Sequence, residues 1–160
     1  MPFLIDGNNL LYAARAAGTS SLLIGRAMLC DTVGRWAQGR SKRVRIVFDG
    51  PAPDPSLAKQ IAHAATEVLY SGAGVTADAV LAKLVENDSA ARRLVVVSSD
   101  RAVGQAAKRR GARALGAEEF WARVTRDLAP RPPAIREPEE KQAGLSPEAT
   151  RAWLDEFGLD

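Results

Sequence analysis

The sequence predicts an α/β fold, with a mostly parallel sheet between two layers of helices. Three observations point there. Short runs rich in Val, Ile, Leu and Phe recur along the chain, and Val44–Phe48 and Leu94–Ser98 are almost unbroken, as strands covered on both faces are. Segments between them repeat apolar residues at helical spacing. Strand and helix alternate, which is the pattern of right-handed crossover units.

The elements follow in order. Phe3–Ile5 is the first strand and runs straight into Asp6-Gly7-Asn8-Asn9. A helix over Leu22–Ala37 carries Leu22, Leu29, Val33 and Trp36 on one stripe. Val44–Phe48 is the second strand and ends in Asp49-Gly50; Glu67–Tyr70 is the third. Thr76–Asn87 is helical, with Val80, Leu81, Leu84 and Val85 on one face. Leu94–Ser98, a helix over Val103–Arg110, the strand Arg113–Leu115 and a helix over Glu118–Asp127 complete a domain spanning residues 1–128. Residues 129–145 read as a stiff, solvated linker, since 129–142 alone holds four prolines and six charges. Residues 146–160 read as a short helix with Ser146 at the N-cap and Pro147 in its first turn. Its apolar face of Ala149, Ala152, Trp153 and Phe157 is enough to dock on its own domain or on a partner.

Composition narrows the class. Of the 160 residues 46% are apolar and 26% charged, which suits a packed core and excludes wholesale disorder. Cys30 is the only cysteine, so neither a disulfide framework nor a cysteine metal cluster is available. No apolar run approaches the ~20 residues of a membrane span, and the N-terminus shows no basic leader. A cytoplasmic protein without a membrane partner is the expectation. The net charge of +3 hides an asymmetry: residues 1–128 carry 18 Lys and Arg against 12 Asp and Glu, and residues 129–160 carry 4 against 7. A basic body fits an anionic partner such as nucleic acid.

The acids are placed more tellingly than they are numbered. Asp6, Asp49 and Asp100 each follow a strand, and Asp78 opens the helix after the third strand. In a parallel sheet all four fall at one edge, the carboxyl ends of the strands, where such folds hold their sites. Each alone has an ordinary role, as a turn residue or a helix cap. Together they repel, by about 1 kcal/mol or more per close pair at intermediate dielectric. Hard divalent ions relieve that repulsion, because Mg²⁺ and Mn²⁺ favour carboxylate, carboxamide and water oxygens. A phosphoester hydrolase on a basic body is then coherent chemistry.

LIDGNNLL (4–11), VFDG (47–50), GVTADAVLAKLVE (74–86) and VVVSSDRAVGQAAKRRGA (95–112) together resemble the NYN and PIN-like ribonucleases, best the YacP-like branch found in bacteria. The match runs in order from about residue 2 to 127. The resemblance implies a three-layer PIN-like domain with strand order 3-2-1-4-5 and Mg²⁺- or Mn²⁺-dependent endonucleolytic cleavage of RNA, leaving a 5′-phosphate and a 3′-hydroxyl. It implies Asp6, Asn9, Asp78 and Asp100 as the catalytic set, with the three aspartates on metal. Asp49, Thr76, Ser98 and Ser99 would orient ligands or the phosphate. Asn8 stands where the family often has Tyr and is set below Asn9. The departure is Ala82, where relatives often place a Glu one turn after the Thr-Ala-Asp aspartate; Glu86 lies a further turn on.

For RNA contacts the candidates are Arg101, beside the acidic edge, and Arg43, Lys108 and Arg109 from two basic clusters. Structured RNA and RNA presented by a ribosome both fit; residue types alone do not choose. His63, the single histidine, is expected on a helix surface, which disfavours histidine general-base chemistry. Cys30, Trp36 and Trp121 are expected to pack. Two rivals stand beside the endoribonuclease reading. One is a PIN-like module that holds RNA or a ribonucleoprotein without cutting. The other is a phosphatase or nucleotide-binding Rossmann-like domain, for which SGAGVTA (71–77) formally fits a dinucleotide fingerprint but falls after the third strand.

Overall fold

A computed structural model describes residues 2–18 and 24–130. The helix expected over residues 146–160, the linker expected over 129–145 beyond Pro130, and Leu22 at the start of the helix expected over 22–37 lie outside the described residues. β1 (Phe3–Asp6), β2 (Val44–Phe48), β3 (Thr66–Tyr70), β4 (Val95–Val97) and β5 (Arg113–Leu115) form one sheet in the order β3-β2-β1-β4-β5. Every pairing is parallel. This is the order the family resemblance implies.

Side-chain alternation sorts the two faces. Phe3 and Ile5 of β1, with Val44, Ile46 and Phe48 of β2, point into a core shared with α1 (Gly7–Ala17), α2 (Arg26–Gln38) and α6 (Ala117–Leu128). Leu4, Val47 and Val96 point the other way, under α4 (Ala77–Asn87) and α5 (Arg101–Arg109). A short α3 (Pro55–Ile61) closes the first core through Ile61. The result is the three-layer sandwich.

The larger core is keyed by an aromatic cluster. Phe3, Trp36 and Phe120 meet with ring centroids 5.1 to 5.6 Å apart, two of the three pairs edge to face. The Trp36 indole N–H donates to Asp127 at 3.0 Å, and Arg40 pairs with the same carboxylate at 3.0 Å, fastening the last turn of α6 to α2. Trp121 and Cys30 are buried, as expected, and burial pushes the Cys30 thiol up to about 12.

Three details differ from expectation. The chain turns helical at once after β1, so α1 occupies a stretch the apolar pattern left unassigned. α3 forms in a stretch to which the sequence pattern assigns no element: Asp54 caps it and Pro55 takes its first position, where proline costs no hydrogen bond. His63 is not on a helix surface. It follows α3, accepts a hydrogen bond from the Ala65 N–H at 3.1 Å, and sits over Gly34 of α2, where a Cβ would strike the imidazole ring.

Candidate active site

Helix starts build the acidic edge. Asp6, the last residue of β1, is also the N-cap of α1: its Oδ1 accepts from the Asn8 and Asn9 N–H groups at 3.1 and 2.9 Å. Asp100 caps α5 in the same way, accepting from Ala102 and Val103 at 2.7 and 3.0 Å on one oxygen. Thr76 caps α4 through Ala79 at 3.2 Å, which places Asp78 in that helix's first turn. Three helix N-termini therefore face one edge, and their partial positive charge offsets part of the carboxylate repulsion. The same arrangement favours an incoming phosphate.

Asp6 is the only charged side chain among the described residues to be buried, at 3% exposure. Its Oδ2 accepts from the Asn9 carboxamide and from the Ser98 hydroxyl, the latter at 3.3 Å, and Asn9 also reaches Ser98 at 3.2 Å. Ser98 in turn accepts from the Asp100 N–H at 3.0 Å, so the ends of β1 and β4 are one hydrogen-bonded unit. Four hydrogen bonds, two on each oxygen, hold Asp6 in place. Its charge is fixed in place, with little freedom left to move toward a ligand.

Asp78 is the opposite case. Its Oδ1 is buried and has no hydrogen-bond partner among the described residues. Burial first, then the charges of Asp6 and Asp100, raise its carboxyl from the ordinary 3.8 to about 6; sharing a proton with Asp6, and the Asp49 charge, push the same way. At neutral pH it is an ionised acceptor facing other ionised acceptors, which is a place for a cation or a proton. Asp100 likewise keeps one oxygen outside its capping bonds.

Asp49 does different work. It is exposed, and it ties two helix starts together: Oδ1 accepts from the Ala77 N–H of α4 at 2.6 Å, while Oδ2 accepts from the Asn8 carboxamide of α1. Asn8, ranked below Asn9 on family pattern, is thereby drawn into the edge as the link between Asp49 and α1. Gly7 explains the glycine of the first motif. A Cβ there would fall 2.5 Å from the ring of Phe48, so LIDGNN and VFDG pack directly on one another. Ser99 points to the side: its hydroxyl donates to Glu118 at 2.8 Å and accepts from Ala117 at 3.3 Å, pinning the start of α6.

The remaining candidates divide by edge. Arg101 is exposed at the start of α5, next to Asp100. Arg43 precedes β2, and Lys108 and Arg109 close α5, so all three lie at the opposite edge, with α5's nine residues, about 13 Å of helix, between them and Arg101. Ala82 is half-buried on α4 and supplies no oxygen, and Glu86 is exposed. Among the described residues no three carboxylate, His or Cys side chains already stand in coordinating geometry. The donor set still fits a hard cation. Mg²⁺ keeps several waters and takes one or two carboxylates plus substrate phosphate, and Asp78 and Asp100 each offer a free oxygen.

A five-stranded parallel sandwich with strand order 3-2-1-4-5 and an acidic edge is the PIN-like arrangement. The chain belongs to the YacP-like NYN domain family, whose model matches residues 3–154, and NYN domains are PIN-like nucleases that act on RNA. Two crystal structures of Rae1 (YacP) from Bacillus subtilis share the fold. One, of a tryptophan-to-leucine mutant, has a TM-score of 0.60 at 23% identity, covering 79% of this chain and 76% of that one. The other has a TM-score of 0.60 at 20% identity, covering 99% and 84%. No curated protein matches the sequence. No described helix is long and apolar enough to cross a membrane.

Proposed function

We propose that the chain is a Mg²⁺- or Mn²⁺-dependent endoribonuclease that hydrolyses RNA phosphodiester bonds at the acidic edge. The observation that carries this reading is Asp78: a buried, unpartnered carboxylate oxygen held between the charges of Asp6 and Asp100. Asp78 and Asp100 would hold the ion, partly through water, with the fixed charge of Asp6 beside it. When bound, such an ion supplies Lewis-acid stabilisation of the phosphoryl oxygens and makes water more acidic.

The chain's own groups do the rest. The N-termini of α1, α4 and α5 favour the phosphate, and Arg101 is placed to pair with a neighbouring one. Asn9 and Ser98 keep Asp6 from swinging away, and Thr76 fixes the turn that presents Asp78. Ionised Asp78 is acceptor-only and would offer its unpartnered oxygen to the ion or to a water on it. The expected products are a 5′-phosphate and a 3′-hydroxyl.

The test is labelled RNA incubated with Mg²⁺, Mn²⁺ or EDTA, beside Asp6→Asn and Asp100→Asn. Asparagine keeps the capping acceptor and removes the charge. At Asp6 it also sets an NH2 against the Asn9 carboxamide and Ser98, so a melting curve of each variant accompanies the assay to separate chemistry from misfolding. Cutting that persists in EDTA, or survives both substitutions, sinks the assignment. One observation favours a second reading, an RNA-holding module: Ala82 leaves the edge one carboxylate short, and RNA binding with no cutting under any condition would select it.

A further inference from the structure

The sheet's two edges carry opposite charge. At the amino-terminal edge the turn Ala91–Arg93, the residues just before it and the last turn of α5 enclose an open concavity of about 760 Å³. Its wall holds Arg92, Arg93, Lys108, Arg109 and Arg110 against one acid, Asp88. A second concavity of about 400 Å³ adjoins it through Asp88, Ala90 and Arg93, and adds Arg43 and Arg45. Arg45 is spent on Glu67, its cross-strand neighbour, at 2.8 Å, and Arg110 donates to the Asp88 carbonyl. Arg43, Arg92, Arg93, Lys108 and Arg109 are exposed and have no carboxylate within ion-pair distance among the described residues.

We infer that this edge is a second RNA-docking surface, one that grips the backbone of a base-paired segment while the acidic edge works on another part of the same RNA. The inference rests on the reading of the chain as an RNA-acting protein. Like charges are kept together here against their mutual repulsion, and mostly as arginine, the side chain that matches phosphate oxygens two at a time. The larger concavity contains no aromatic or large aliphatic side chain. It therefore lacks the anchor a protein interface needs, the wedge a lipid surface needs and the platform on which single-stranded bases stack. The second concavity is floored by Phe3, Leu4, Val44 and Leu94, but these are buried in the cores, and Leu84 packs against the core that holds Leu4 and Leu94. Phosphates spaced along a duplex need none of these.

The test is binding in EDTA, so that cutting plays no part. A fluorescein-labelled 16-base-pair RNA hairpin and a 16-nucleotide oligo(U) are titrated with the full chain at several salt concentrations. The variants are Arg92→Gln/Arg93→Gln/Arg109→Gln, its lysine counterpart Arg92→Lys/Arg93→Lys/Arg109→Lys, and a control, Lys59→Gln/Lys83→Gln/Arg126→Gln, that removes three exposed cations elsewhere. The glutamine variant is expected to lose about tenfold or more in hairpin affinity, with the slope of log Kd on log salt falling by roughly 2–3. The lysine variant should keep the slope, and the control should bind as the parent does. Unchanged hairpin binding in the glutamine variant overturns the inference. So does an equal loss for oligo(U), or stronger binding to phosphatidylserine vesicles or poly-glutamate than to the hairpin. Absence of cutting by the parent in Mg²⁺ would instead count against the nuclease reading alone.

Discussion

Asp6-Gly7 and Asp49-Gly50 are the same dipeptide at the ends of adjacent parallel strands, and the chain uses them in opposite ways. After Asp6 it enters a helix without a turn; the aspartate is buried and held by four hydrogen bonds, and Gly7 lies under Phe48. After Asp49 it leaves the sheet; the aspartate is exposed, and Gly50 has φ of +91° with open space where a Cβ would go. One glycine is required by a neighbour and the other by its backbone. One carboxylate holds charge at the centre of the edge, and the other holds two helix starts in register. The local sequence does not decide between these fates; the partners that cross the sheet do.

The largest expected effect breaks the comparison in chemistry. Asp6→Asn should lower RNA cleavage by about 10³-fold, the scale of losing one preorganised electrostatic group. Asp49→Asn, measured in the same single-turnover assay, should cost about tenfold or less, since asparagine can still accept from Ala77. Equal losses would show that Asp49 meets the substrate or its ion directly.

The two glycines separate in stability. Gly7→Ala should cost about 1–3 kcal/mol by overpacking against a fully buried ring, read by urea denaturation. Gly50→Ala should cost about 1–2 kcal/mol through backbone strain alone. Adding Phe48→Leu should recover part of the first loss and none of the second.

A pH profile sharpens the contrast between the two charges. Asp78 is raised in the metal-free folded protein, where it is protonated below about 6, so metal binding, and cleavage at limiting Mg²⁺, should weaken as pH drops through that value. Stability runs the other way without metal. The folded protein binds the Asp78 proton more tightly than the unfolded chain, so it loses stability as pH rises from near 3.8 through about 6, and divalent cation should restore it. Asp6 contributes more to the shift than Asp49 does, so Asp6→Asn should move the acid limb of metal affinity further down in pH than Asp49→Asn. Calorimetric titration of Mn²⁺ across pH 5–8 would show whether that order holds.

The smallest effect concerns Asn8. Its removal by Asn8→Ala frees one oxygen of Asp49 and should lower the melting temperature by about 2–4 °C, with cleavage reduced several-fold at most. A loss as deep as that of Asn9→Ala would place Asn8 in contact with substrate.

Much of the fold was legible because parallel strands buried on both faces must be apolar, and Val44–Phe48 and Val95–Val97 can be little else. α1 was not legible by periodicity, since Gly7, Asn8 and Asn9 favour turns until Asp6 is recognised as their cap. α3 carries its signal in Asp54-Pro55, a cap followed by proline, but at seven residues it is too short to show an apolar periodicity. Within the site, the four aspartates could be placed on one edge from topology alone. The link from Asn8 to Asp49 joins residues 41 apart, and no local pattern reports it. The direction of α5 was readable: a helix capped by Asp100 at one edge must end, with Lys108 and Arg109, at the other.

The contact between Gly7 and Phe48 makes two separate stretches of chain a single inheritable unit. Enlarging the first member is tolerable only as the second shrinks, so the pair can be exchanged together far more readily than singly. Anyone redesigning the acidic edge for a bulkier substrate should therefore vary the glycine of the first strand end and the aromatic of the second in one library, because screening either alone discards the combinations that fold.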